Sequence, residues 1–183
     1  SFPMACAGLL HDVGKKRVVG RTPDRYTFYN HEDVSFRMAA AIGLRLKLTN
    51  FERERIEWLV KKHQYLADAR QMKTSKLKMI LAHPGIRGLL ALHRADALAC
   101  GRSTDHVEYC EQLLREWSEK DLNPPPLLTG HDLAQRGLPP GPLYKKLLDA
   151  VKEAQLDGTI QTVQEAWELV ERLVEGRGAR GEG

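Results

Sequence analysis

Apolar residues recur at three- and four-residue intervals along almost the whole chain, the spacing of helices that bury one face. A first apolar stretch from Phe2 to Leu10 predicts a helix ending at His11. Residues 17–30 are basic and aromatic, are broken by Gly20 and Pro23, and predict a loop or short ribbon. A helix follows over 32–46, with Met38, Ile42 and the alanines between them inward and Gly43 tolerated at some cost. Thr49 and Glu52 form a Thr-x-x-Glu capping box. Ile56, Leu59, Val60 and His63 then fall at i, i+3, i+4 and i+7, so His63 belongs to the buried stripe. Thr74 or Ser75 starts a helix carrying Leu77, Ile80 and Leu81, which Pro84 ends. Over 86–100, Leu89, Leu92, Ala95, Asp96 and Ala99 share one side, so Asp96 projects a carboxylate from an apolar face. Val107, Cys110, Leu113, Leu114 and Trp117 outline a further helix, capped near Ser103 or Thr104.

A boundary comes next. Asn123 and the prolines 124–126 cannot continue a helix and read as an extended linker. Beyond it, Thr129 and Asp132 cap a short helix that Gly137 stops, and Pro139 to Pro142 make a rigid turn. Pro142 suits the first position of a helix running to about Leu156. Thr162 and Glu165 form another capping box, opening a last helix through Trp167, Leu169, Val170 and Leu173. Residues 176–183 read as a disordered end. The expected architecture is therefore all-α: a helical domain over 1–120 and a small helical tail over 121–183.

Charge divides along the same boundary. Residues 1–120 carry 21 Lys and Arg against 14 Asp and Glu, whereas 121–183 carry 7 against 10. The mildly basic larger part suits a phosphate-bearing partner. With 42% hydrophobic and 28% charged residues the composition is that of an ordinary globular protein. No apolar run nears the roughly 18 residues of a membrane span, and no secretory signal is visible. Cys6, Cys100 and Cys110 lack CxxC spacing and read as free thiols in a reducing, cytoplasmic compartment. Ser1 falls inside an apolar helix with no Met start, so a piece of a longer protein is expected.

The chemistry concentrates in residues 8–17. There the apolar segment runs into His11 and Asp12, breaks at Gly14 and turns basic at Lys15, Lys16 and Arg17. An imidazole beside a carboxylate at the end of an apolar segment is costly to bury unless something binds both. Neutral His and ionised Asp are good ligands for divalent metals. His63, Asp96 and His31, at the start of its helix, add inward polar groups on separate helices, and a shared partner would satisfy all of them. The remaining histidines read more blandly: His83 at the surface, His93 structural or beside Asp96, His106 and His131 facing solvent.

Here the sequence resembles the HD superfamily of metal-dependent phosphohydrolases, and more narrowly the HD-containing part of bacterial CCA-adding enzymes and poly(A) polymerase-like nucleotidyltransferases. The resemblance rests on Leu10-His11-Asp12-Val13-Gly14-Lys15, Phe28-Tyr29-Asn30-His31-Glu32, Lys62-His63 and Arg94-Ala95-Asp96-Ala97. The tail adds Leu128 to Leu133, Gly137 to Pro142 and Glu153 to Gly158. It implies that His11, Asp12 and Asp96 hold one divalent metal (Mn, Ni, Co, Fe or Mg) and His31 and His63 a second, with Asp12 the bridge. The family's additional upstream His would lie before Ser1, and the Gly-Ser loop and Asp-x-Asp pair of a nucleotidyltransferase head are not in this stretch. Asp12, Lys15 and Glu32 are the expected catalytic residues, Lys15 as a phosphate contact and Glu32 as a water-orienting group. Tyr26, Phe28 and Tyr29, interleaved with Arg21 and Arg25, are candidates for touching a nucleotide. Two functions are expected from this: hydrolysis of a nucleotide or RNA phosphoester, or a non-catalytic body and tail that bind tRNA-like RNA for a nucleotidyltransferase head.

Overall fold

The computed structural model describes residues 1–178, with side chains through 175; residues 179–183 of the expected disordered end lie outside the described residues. The rest is helical, as the periodicity requires, apart from one two-stranded ribbon. The chain forms two compact units: residues 1–71 with 83–115, and residues 72–82 with 116–183.

The first unit begins with α1 (Phe2–Leu10), for which His11 is the C-cap. A 3-10 turn over Lys15–Arg17 leads into the ribbon, in which β1 (Gly20–Arg21) pairs antiparallel with β2 (Tyr26–Thr27). Then come α2 (His31–Arg45) and α3 (Asn50–Lys62), the latter opened by the reciprocal Thr49–Glu52 capping box. α3 packs against α1, α2 and α5 (Ile86–Ala99), the helix that brings Asp96. α6 (Asp105–Glu116) completes the unit, burying Val107, Cys110 and Leu113 on one stripe.

Two registers differ from the sequence expectation. α2 buries His31, Ser35, Ala39 and Gly43, whereas Met38 and Ile42 are only half-buried. Small residues take the contact because α3 crosses close: a Cβ on Gly43 would lie 3.0 Å from Arg53 Cγ. In α5 the buried set is Ile86, Leu89, Leu90, Leu92, His93 and Ala97, while Ala95 and Ala99 are exposed. Asp96 thus sits at the edge of the buried face, where a carboxylate reaches a cleft without full desolvation.

The second unit contains α4 (Thr74–Leu81), α7 (Glu119–Leu122), α8 (Gly130–Gln135), α9 (Pro142–Leu156) and α10 (Val163–Gly178). Helix α7, capped by Ser118 and Asp121, is four residues long and is absent from the sequence expectation, being too short to show a period. The final helix extends to Gly178, past the expected end at 176. Leu128, Leu133, Leu147, Val151, Ile160, Ala166 and Val170 make one aliphatic core. α4 joins this unit by packing on α9 and α7. No side chain caps its start; instead Asp157 Oδ1 accepts the Ser75 N–H at 2.7 Å, and Asp157 Oδ2 meets Lys73 Nζ at 2.8 Å.

Candidate metal centre

Three histidines are aimed by the same local device. His11 Nδ1 lies 2.8 Å from Gly8 O, His31 Nδ1 2.8 Å from Phe28 O, and His63 Nδ1 2.7 Å from Val60 O. A carbonyl oxygen only accepts, so each Nδ1 carries the proton and each Nε2 of the neutral ring is left as a bare lone pair. These Nε2 atoms converge on Asp12. His31 Nε2 is 3.1 Å and His63 Nε2 3.6 Å from Asp12 Oδ1, and His11 Nε2 is 3.4 Å from Asp12 Oδ2. Asp96 closes the other side, its Oδ1 3.6 Å from His11 Nε2. All five expected ligand residues are therefore together, in two groups that share Asp12: His31 with His63, and His11 with Asp96.

The donor set fits a divalent cation. His31 Nε2 and His63 Nε2 face each other at 3.0 Å, and with both Nδ1 atoms protonated two lone pairs oppose there. Only a shared cation, a proton or a metal, makes that contact favourable. Both rings are buried, so water does not relieve it. His11 Nε2 and Asp12 Oδ1 are buried atoms without a hydrogen-bond partner among the described residues, as open metal-ligating atoms would be. Burial opposes the charge on Asp12, but the His11 and His63 rings, which donate to it only when a proton occupies Nε2, and the Lys15 ammonium outweigh it and hold the carboxyl well below the usual carboxylate range. The adjacent Asp12 carboxylate, which accepts from His11 once Nε2 takes up a proton, raises the His11 pKa against the opposing pull of burial. Asp12 is thus ionised at neutral pH, at the middle of a cluster rich in imidazole.

The site opens into a cleft of about 590 Å³. Lys15 Nζ sits on its wall 2.5 Å from Asp12 Oδ2 and 5.7 Å from the centre of the Phe28 ring. Glu32 lines it too, with Oε2 3.8 Å from His31 Nδ1. The ribbon contributes Arg25, Tyr26, Phe28 and Tyr29, and Tyr26 and Tyr29 are largely exposed. Arg21 stacks on Tyr26, its guanidinium 5.8 Å from the ring centre, and is not among the cleft residues. Sequence reasoning missed Arg102, which lines the cleft beside Lys15 and Arg25. The signal was available: Arg102 follows Asp96 by six residues, just past the end of α5.

Two bland expectations need correction. His83 is half-buried, not at the surface; it stacks on Trp58 with ring centres 3.8 Å apart, and its Nδ1 accepts the Gly85 N–H. His106 is half-buried against His93, with Nε2 3.2 Å from His93 Nδ1. His93 itself is buried, and burial with the nearby His106 lowers its pKa to about 4. His131 is exposed as expected.

A helical domain holding His and Asp side chains from four segments around one carboxylate is the architecture of the HD class. Residues 4–100 match the family described as HD domain, and the chain belongs to that family. Along most of its length it is also similar to tRNA nucleotidyltransferases. The A-adding enzyme of Deinococcus radiodurans is 35% identical over 178 residues, which cover 92% of this chain and 41% of the relative. The CC-adding enzyme of Thermus thermophilus is 31% identical over 184 residues, covering 97% and 41%. A shorter match, 51% over 41 residues, is to an A-adding enzyme of Halalkalibacterium halodurans. The chain thus spans about two fifths of the length of the two relatives it matches most fully. No solved structure matches it. Among the described residues, no helix is long and apolar enough to cross a membrane.

Proposed function

We propose that residues 1–120 form a metal-dependent phosphohydrolase domain acting on a nucleotide or RNA phosphoester. The observation that carries this reading is the convergence of three bare Nε2 atoms and the Asp96 carboxylate on Asp12. His11, Asp12 and Asp96 would hold one divalent ion and Asp12, His31 and His63 another. Such ions supply an acidified water and neutralise charge on a phosphoryl group. The chain does the rest. Lys15 and Arg102 offer cations to phosphate oxygens from the walls of the cleft. Glu32 stands where a carboxylate orients a water or accepts its proton. The exposed rings of Tyr26 and Tyr29 offer faces on which a base stacks. Imidazole-rich ligation favours Mn, Ni, Co or Fe over Ca.

A second reading has its own support. The relatives are named for tRNA nucleotidyl transfer, and residues 1–120 carry an excess of seven positive charges over negative ones. On that reading this region is an RNA-binding body and tail, and the centre is structural. Hydrolysis of a nucleotide phosphoester with and without Mn²⁺ separates the two. The phosphohydrolase turns over only with added metal. Asp12→Ala abolishes turnover, since both ligand groups lose their shared carboxylate, and Lys15→Ala weakens it by less. Metal binding without turnover on any phosphoester, accompanied by tRNA binding that weakens steeply with salt, would favour the RNA body.

A further inference from the structure

We infer that Gly14 and Ser35 form a clasp that fixes the distance between Asp12 and His31 and so tunes one of the two ligand groups more than the other. The inference rests on the reading of this cluster as a metal centre. Gly14 lies two residues beyond Asp12, and its N–H donates to Ser35 Oγ at 2.9 Å, in the interior. Ser35 is fully buried and sits one helical turn after His31 on the same stripe of α2. The approach is at backbone range. A Cβ on Gly14 would stand 2.6 Å from Ser35 N, 2.8 Å from His31 O and 2.9 Å from Ser35 Oγ.

The torsion explains none of this. Gly14 has φ −78° and ψ −18°, a conformation open to any residue. Glycine is needed for space alone: the segment carrying Asp12 is drawn against the first turns of α2, and a single methyl would push it away. Ser35 latches the contact by accepting an amide hydrogen that would otherwise be buried without a partner.

The asymmetry follows from where the ligands are attached. His11 adjoins Asp12 in sequence, and its ring is aimed by Gly8 O from the same segment. Asp96 comes from α5, which the clasp does not touch. His31 alone reaches Asp12 across the Gly14–Ser35 contact. Loosening the clasp therefore shifts Asp12 against His31 and, with it, the group completed by His63. His11 and Asp12 move together, so within the other group only the reach to Asp96 changes.

Calorimetric titration with Mn²⁺ of the full chain, stripped with chelator, tests this in two backgrounds. His63→Gln leaves the His11 and Asp96 group, and Asp96→Asn leaves the His31 and His63 group. Adding Ser35→Ala should weaken Mn²⁺ about tenfold in the Asp96→Asn background, the lower end of what lost supporting contacts cost a metal site. It should change affinity less than twofold in the His63→Gln background. Gly14→Ala should act in the same direction and more strongly, and Ser35→Ala stands as the milder variant should that protein fail to fold. Thermal melts of the metal-free variants register any general loss of stability, which would weaken both groups alike. Equal weakening in the two backgrounds, or none in either, overturns the clasp while leaving the metal centre intact. Absence of Mn²⁺ uptake by the unaltered protein overturns the centre itself, and the clasp with it.

Discussion

The interiors of the two units are built on opposite principles. The second encloses a continuous aliphatic cluster, with Ser75 the one buried polar side chain among the described residues of that unit. The first buries His31, Ser35, His63 and His93 among its leucines. An aliphatic core gains free energy from every side chain removed from water. Buried imidazoles and hydroxyls return little unless each finds a partner. The first unit therefore gives up packing energy to hold donor atoms in fixed places, and the second does not. Chemistry is expected where that sacrifice is made.

Truncating the aliphatic core gives the largest effect that would test this contrast. Leu147→Ala should cost about 2–5 kcal/mol, since Leu147 is almost fully inaccessible and leaves a cavity. Hydrogen exchange should report that loss in α9 and α10, with Mn²⁺ affinity unchanged. A fall in metal affinity in step with the loss would show that the two interiors are not separate. Metal addition probes the other side. At a hundredfold excess over Kd, a divalent ion should stabilise the first unit by about 2.7 kcal/mol. The gain should appear in the exchange of α2 and α3 amides and not in α9, and protection spread evenly over both units would erase the distinction.

A smaller effect sharpens the picture of the second unit. Burial works against the charge on Asp157, yet Lys73 and the Ser75 N–H prevail and lower its pKa below the ordinary aspartate value. Because the folded value is the lower one, its stabilisation is complete above the unfolded pKa of about 4 and is lost as pH falls through the folded value. Asp157→Asn should cost about 1–2 kcal/mol at pH 7. The gap between variant and parent should close in acid, as denaturant melts across pH would show. A gap of constant size at every pH would mean that the charge contributes nothing.

Much of this was legible in the sequence wherever the signal is local. The capping boxes at Thr49–Glu52, Thr129–Asp132 and Thr162–Glu165 act within one turn, and all three form. His63 was placed inward by its register with Ile56 and Val60, and it is buried. The failures depend on what lies across the interface. The buried face of α2 is selected by the approach of Arg53 to Gly43, which α2's own pattern does not encode. α4 belongs with α9 because Asp157, more than eighty residues further on, accepts its second amide. His83 looked like a surface residue because nothing nearby in sequence announces Trp58 beneath it.

The three carbonyl contacts from Gly8, Phe28 and Val60 have a consequence for how such a centre is inherited. Each imidazole takes its aim from an oxygen three positions earlier in its own chain, so ring and support form a four-residue cassette. Recombination or insertion that preserves a cassette preserves the direction of its lone pair, whatever happens to the surrounding loops. Only the placement of one cassette relative to another must be rediscovered. A centre assembled from self-aiming parts can therefore drift in spacing, and exchange one preferred cation for another, without first losing its ligands.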